Sequence, residues 1–188
     1  MTSQRQSKVV ERYLALLDGQ REKTFSALED ITDEQLWQRP GEGEWSIGEI
    51  LHHNVLLIQS MFPIVRFTWR WFRWTGKLFK KKPYKTEIAD PYKKQSFPHW
   101  VGFIWTPRYS KKNPVPFSTL LKETRDLHSE VRAFYERNEE DRLGHVYLFD
   151  PLFGFFNLIQ TLKVVIYHDQ LHYDDVIKQW HALRPESG

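Results

Sequence analysis

Apolar residues along this chain recur at steps of three and four positions, which is the spacing of one face of an α-helix. The longest pattern runs from Asp150 to Trp180, and its inward stripe consists of Leu158, Leu162, Val165, Asp169, His172 and Val176. A carboxylate at Asp150 suits the N-cap, and Pro151 suits the first helical position, where no N–H donor is required. We therefore expect a long C-terminal helix over 150–180.

The same spacing predicts three further long helices. The first covers 7–29, and the third covers 119–136 with Ser118 as its N-cap. The second begins with a capping box at Ser46, and Pro63 is expected to kink or end it.

A short helical turn over 33–38, with a capping box at Thr32 and Gln35, completes the helical pattern. No segment shows the sustained two-residue alternation that is typical of a half-buried strand. At 188 residues the chain is long enough to bury a core, and one domain over residues 1–188 is the simplest organisation. The predicted fold class is all-α: a four-helix bundle with a long, aromatic and basic insertion between its second and third helices.

The insertion begins with a helical stretch over 66–82, followed by a long ordered loop over 84–116 that is rich in proline and aromatic residues. The helical stretch has an apolar stripe and a neighbouring basic stripe: Phe67, Trp71, Trp74 and Leu78 beside Arg66, Arg70, Arg73 and Lys77. Three interpretations are open. The aromatic stripe packs on the bundle, which is the favoured interpretation, or the helix lies on an anionic membrane surface. Nucleic-acid binding is the least favoured.

The charge distribution shows that the basicity of this protein is local. The net charge is +3, but residues 66–112 contain 13 Lys and Arg against 2 acidic residues. The absence of cysteine excludes disulfides, thiolate metal sites and a cysteine nucleophile, so that any metal must have nitrogen and oxygen ligands. The N-terminal residues do not resemble a signal peptide, and no run of about 20 apolar residues occurs, so we expect a cytoplasmic protein.

Three histidines are predicted to face the core. His53 follows Glu49 by one helical turn, whereas His52 is rotated about 100° away. His168 and His172 are four residues apart and therefore lie on one helical face. Such residues are either core histidines satisfied by hydrogen bonds or ligands of a metal ion. Three imidazoles would leave coordination positions open, as in catalytic sites.

Three short motifs show a family resemblance. They are Trp45-Ser46-x-x-Glu49-x-x-x-His53, His168-x-x-x-His172, and the run from Gly154 through Ile166 that leads into those histidines. With these motifs the chain resembles the DinB/YfiT-like superfamily of four-helix-bundle metalloproteins. The resemblance implies a divalent metal ion, most commonly nickel or zinc, on His53, His168 and His172, and it favours His53 over His52. The basic, tryptophan-rich insertion departs from the family pattern.

The resemblance also implies a function. It suggests a metal-dependent S-transferase that uses a low-molecular-weight thiol, such as bacillithiol or mycothiol, or a hydrolase, acting on a small molecule. The alternative is a non-catalytic helical scaffold that acts through protein or membrane-surface binding. The resemblance further implies a homodimer, in agreement with the large number of aromatic residues, 8 Trp, 8 Tyr and 13 Phe.

Three further expectations concern the surroundings of the site. Residues 66–112 are expected to cover its open side, with Trp100 and Trp105 excluding water and basic residues at the rim attracting an anionic substrate. Glu49 is interpreted as a helix cap rather than as a partner of a ligand histidine. Asp169 and Tyr173 are interpreted as structural residues that flank the ligand pair.

Overall fold

A computed structural model of the chain describes residues 8–79, 81–93, 105–150 and 154–184. This part contains six helices and one antiparallel hairpin: α1 Lys8–Ala27, α2 Asp33–Leu36, α3 Ile47–Phe79, α4 Phe117–Glu136, α5 Glu140–Leu143, β1 Tyr147–Asp150, β2 Gly154–Asn157 and α6 Leu158–Leu183. The four long helices pack in the cyclic order α1, α6, α3, α4. The fold is therefore the predicted four-helix bundle, with a short hairpin that the sequence pattern did not predict. In the described ranges no helix is both long and apolar enough to cross a membrane.

The second helix is much longer than predicted. Pro63 does not end α3, which continues into the stretch predicted as helical over 66–82 and forms a single helix of 33 residues. Phe62 and Val65, on either side of the proline, are both buried in the core, whereas Pro63 itself is exposed. Packing of the apolar neighbours therefore outweighs the hydrogen bond that proline removes from the helix.

The last helix begins later than predicted. Asp150 lies in β1 rather than at a helix N-cap, and Pro151 lies outside the described residues. Gly154 has φ +78°, a left-handed conformation that suits the start of β2 and not a helix interior. The true N-cap of α6 is Asn157, whose side chain accepts a hydrogen bond from the backbone N–H of Gln160.

The predicted N-cap of α4, Ser118, is also wrong. Pro116 occupies that position.

The apolar core consists of two clusters separated by a polar layer. One cluster contains Val65 and Ile166, and the other contains Ile50 and Val176. Between them, the middle of the bundle is occupied by buried polar side chains: His53, Asn54, Thr124, His128, His168 and Asp169. The histidines predicted to face inward therefore belong to an extended polar layer.

The first part of the loop between α3 and α4 is fixed to the bundle by hydrogen bonds to its backbone. Four successive carbonyl oxygens, over 85–88, accept hydrogen bonds from side chains of α1, α6 and the N-cap of α6. The donors are Asn157, Tyr13, Gln160 and Tyr167. These bonds satisfy backbone groups of a segment without secondary structure of its own, and they hold the chain in position as it approaches Tyr92.

Substitution of Asn157 tests whether this residue caps the start of α6. It is fully buried, and its amide also donates to the carbonyl of Lys85 at 2.7 Å. Asn157→Ala removes the cap and leaves that carbonyl without its donor, so we expect a loss of about 2–4 kcal/mol in the free energy of unfolding in urea. Thr32→Ala removes the exposed cap of α2 and should cost about 1 kcal/mol or less. Equal losses in the two variants would contradict this role of Asn157.

Candidate metal centre

The structure brings the three predicted histidines together at the middle of the bundle. His53 extends from α3, and His168 and His172 extend from successive turns of α6. One ligand nitrogen of each lies within 4.8 Å of the others. Their ring centroids are 5.3 Å apart for His53 and His168, 4.8 Å for His53 and His172, and 4.5 Å for His168 and His172. His53 and His168 are buried, and His172 is partly exposed.

The orientation of His53 is determined by a loop residue. Its Nδ1 lies 3.0 Å from the backbone carbonyl oxygen of Trp105. A carbonyl oxygen only accepts, so Nδ1 carries the proton and Nε2 retains its lone pair. Trp45 packs against the same imidazole, with ring centroids 4.9 Å apart. A backbone carbonyl behind a histidine is a common means of fixing the tautomer and orientation of a metal ligand.

His168 is flanked by Asp169 and Tyr92. Oδ1 of Asp169 lies 3.5 Å from Nδ1 of His168, and Oδ2 lies 3.7 Å from Nε2 of His128. The ring of Tyr92 packs edge-on against His168 at 5.6 Å. Burial raises the pKa of Asp169 to about 7, and the nearby His128 acts in the opposite direction. The carboxyl group of Asp169 thus lies between the imidazoles of His168 and His128.

Burial also determines the charge of the triad. Desolvation lowers the pKa of His53, partly opposed by its hydrogen bond to Trp105. Desolvation and the neighbouring imidazoles lower the pKa of His168 to about 3 and that of His172 to about 2. All three side chains are therefore neutral at pH 7, which is the form that binds metal ions.

His52 is buried as well, which the helical pattern did not predict. It points away from the triad, stacks on Tyr109 at 4.1 Å and accepts a hydrogen bond at Nδ1 from the backbone N–H of Arg108. Its burial lowers its pKa to about 4. The arrangement agrees with the preference for His53 over His52, because His52 is occupied in fixing the loop that follows Trp105.

Glu49 is a helix cap, as predicted. Its Oε2 accepts a hydrogen bond from the backbone N–H of Ser46 at 2.9 Å, and its own backbone N–H donates to Oγ of Ser46. The structure adds an ion pair with Arg39. Burial alone would raise the pKa of Glu49, but the hydrogen bonds from Arg39 and Ser46 outweigh it and lower the pKa.

The triad lies on the wall of a cavity of about 830 Å³ between α3 and α6. Most of the remaining wall is apolar and includes Ile50, Leu57, Ile64, Val65, Leu148, Phe156, Val164 and Leu171. The basic rim that the sequence predicted is absent from the described lining, where the charged residues are Arg39, Glu44, Asp150, Asp175 and Lys178. An anionic substrate therefore gains no net attraction from these residues.

Segment 66–112 contributes to this cavity in only two places among its described residues. Tyr92 and Trp105 line it, whereas the described helical part over 66–79 does not. Trp105 is itself anchored, because its indole N–H donates to Oγ of Ser60 on α3. Trp100, which was also expected to cover the site, lies outside the described residues.

Comparison with known proteins places this geometry in a family. A model of the DinB superfamily matches residues 16–176. The chain belongs to the DinB superfamily. Among solved structures it is similar to YfiT from Bacillus subtilis, with a TM-score of 0.63 over 93% of this chain and 87% of that chain, at 14% sequence identity. No curated protein sequence matches.

YfiT is described as a probable metal-dependent hydrolase with an unusual four-helix bundle topology. At 14% identity, this similarity establishes the fold of the DinB-superfamily chain and not its activity. The resemblance inferred from the tryptophan and histidine motifs is thus confirmed at the level of family and fold.

The donor set fits a divalent transition metal. Imidazole nitrogens bind zinc at about 2.0–2.1 Å, so two nitrogens on one ion are at most about 4.2 Å apart. The observed separation of up to 4.8 Å closes with side-chain shifts of about 1 Å. Neutral imidazoles suit zinc, nickel, copper and iron better than magnesium or calcium, which prefer oxygen ligands.

The neutral triad leads to a prediction about pH. The pKa values of His168 and His172 in the folded chain lie below the unfolded value of about 6.5. As pH falls below 6.5, the unfolded chain therefore binds more protons than the folded chain. The free energy of unfolding of metal-free protein should therefore fall as pH decreases from 6.5 to 5. The raised pKa of Asp169 would by itself increase the free energy of unfolding as pH falls. Its effect is smaller than the sum of the effects of the histidines, because it is a single group.

The measurement is urea unfolding in chelator at pH values between 7 and 5. His168→Gln/His172→Gln should reduce the slope by up to about 2–3 kcal/mol per pH unit, since each depressed histidine contributes at most about 1.4. His181→Gln, which replaces an exposed histidine, should retain the wild-type slope. A double variant with the wild-type slope would contradict the assignment of neutral histidines.

Proposed function

We propose that this protein is a metal-dependent hydrolase whose ion is bound by His53, His168 and His172. The observation that carries the proposal is the convergence of three neutral imidazoles on the wall of a large apolar cavity. Nickel or zinc is the proposed ion, because imidazole ligands suit both. Three protein ligands leave at least one coordination position for water or substrate, as in catalytic rather than structural sites.

Each surrounding residue has a role in this proposal. A bound divalent ion would supply Lewis acidity, which lowers the pKa of water or of a thiol to near neutrality. The carbonyl of Trp105 holds the proton of His53 on Nδ1 and directs Nε2 towards the cavity. Asp169 supports the imidazole of His168 from the other side. Tyr92 and Trp105 reduce the access of bulk water to the histidines.

Hydrolysis is favoured over thiol transfer for two reasons. The lining of the cavity contains more acidic than basic residues, which does not favour an anionic thiol cofactor. The structurally similar YfiT is described as a probable metal-dependent hydrolase. The apolar walls support a substrate with an apolar group beside the bond to be cleaved.

The first test is metal binding. Wild-type protein loaded with zinc or nickel should retain about one ion per chain after gel filtration, as measured by elemental analysis, and its Tm should rise with metal. His172→Ala removes one ligand and should weaken binding at least about a hundredfold. His181→Ala, which removes an exposed histidine on the same helix, should bind as wild type. An unchanged metal content in His172→Ala would refute the site.

The second test is activity on para-nitrophenyl esters with short and long acyl chains. We expect hydrolysis that requires zinc or nickel and is lost in His172→Ala. The value of kcat/KM should rise severalfold from acetate to octanoate, because each buried methylene group contributes up to about 0.8 kcal/mol. A parallel assay follows bacillithiol consumption with an electrophile. Metal-dependent thiol consumption without ester hydrolysis would replace the hydrolase assignment and leave the metal site intact.

A further inference from the structure

The outer part of α3 presents an apolar stripe to solvent, although the favoured expectation was that this stripe packs on the bundle. The side chains at positions 64, 67, 71, 74 and 78 lie within one narrow band of the helix surface. They are 46–68% exposed: Ile64, Phe67, Trp71, Trp74 and Leu78. A continuous exposed band of this composition is characteristic of an interaction surface.

The opposite face of the same helix is already occupied. Trp69 is buried against Phe134 of α4, with ring centroids 6.3 Å apart. A Cβ atom at Gly76 would lie 2.5 Å from the backbone oxygen of Arg142, so the helix packs in backbone contact with the end of α5. The helix therefore cannot rotate to bury its outward stripe, which stays exposed beside the parts of the chain that the structure describes.

The charges beside the stripe favour an anionic partner. Arg66, Arg70, Arg73 and Lys77 form an exposed basic band along its edge. The whole segment from 50 to 86 contains no acidic residue. Symmetric antiparallel pairing of two copies along this stripe would bring the basic band of each copy alongside the basic band of the other. Like charges would then face each other without a carboxylate from this helix between them.

Tryptophan and phenylalanine flanked by arginine and lysine are the composition of a helix that lies in a membrane interface. The aromatic rings enter the boundary between headgroups and acyl chains, and the basic side chains contact anionic headgroups. The apolar cavity reaches this surface as well, because Ile64 belongs to the stripe and also lines the cavity.

We propose that the outward face of α3, from Ile64 to Leu78, docks on the surface of an anionic lipid bilayer. The helix lies parallel to the membrane plane, with the aromatic stripe inserted and the basic band along the headgroups. In this orientation the apolar cavity opens next to the lipid phase. The docking surface does not depend on the proposed metal site, and it is tested without metal.

The test is co-sedimentation of the full chain with vesicles. Vesicles of equal parts phosphatidylglycerol and phosphatidylcholine should bind the protein, and binding should weaken as salt is raised from about 0.05 to about 0.5 M. Pure phosphatidylcholine vesicles should bind at least about tenfold more weakly. Failure of the wild-type protein to bind anionic vesicles at low salt would overturn the proposal.

Two double variants identify the surface. Trp71→Ser/Trp74→Ser and Arg70→Glu/Arg73→Glu should each reduce binding at least about tenfold. These side chains are exposed, so circular dichroism melts should remain close to wild type. The matched controls are Leu16→Ser on α1, which is 44% exposed, and Lys23→Glu/Arg125→Glu, which changes the net charge by the same amount on α1 and α4.

The remaining outcomes distinguish membrane docking from nonspecific charge binding and from pairing of two chains. Loss of binding in the stripe variants with wild-type binding in the controls supports the proposal. Equal loss in Lys23→Glu/Arg125→Glu would show a nonspecific charge effect and overturn it. Light scattering that shows a wild-type dimer and a Trp71→Ser/Trp74→Ser monomer would assign the stripe to a second copy of the chain and also overturn it.

Discussion

The burial of a polar layer at the middle of the bundle is the constraint on which the rest of this structure depends. His53, His128, His168 and Asp169 are nearly inaccessible to water and lie between two apolar clusters. Desolvation disfavours the charged form of an imidazole, so the triad histidines remain neutral and can act as ligands. Polar groups buried without partners destabilise a fold by several kcal/mol. The apolar clusters on both sides offset that cost, and a bound ion would reduce it further.

The direction of each imidazole depends on residues that are distant in sequence. The carbonyl of Trp105 fixes the tautomer of His53 from a loop that is itself tied to α3 through Ser60. The hairpin and Asn157 determine where α6 begins, and hence where His168 and His172 lie along the bundle. The loop before Tyr92 is held by side-chain donors from α1 and α6. The loop between α3 and α4 thus contributes to the site the backbone carbonyl of Trp105 and the rings of Tyr92 and Trp105.

Helix α3 connects two environments that differ in their contacts with solvent. From Ile47 to Ile58 it is buried on nearly every side, and there it carries His53. Beyond Pro63 it is buried on one side only, and its outward side is aromatic and basic. A helix of 33 residues is about 50 Å long, so one continuous element runs from the centre of the bundle to the exposed stripe.

The helical fold class, the capping boxes at Thr32 and Ser46, and the inward direction of His53, His168 and His172 were predictable from the sequence, because helical periodicity and caps are local properties. It did not determine that α3 passes through Pro63, that Asp150 belongs to a strand, or that His52 is buried beside Tyr109. Those outcomes depend on packing between segments far apart in the chain, which outweighs local preference. The stripe at Phe67, Trp71 and Trp74 shows the same limit. Its periodicity is evident in the sequence, but the burial of the opposite face of α3 depends on contacts of Trp69 and Gly76 with residues about 65 positions away.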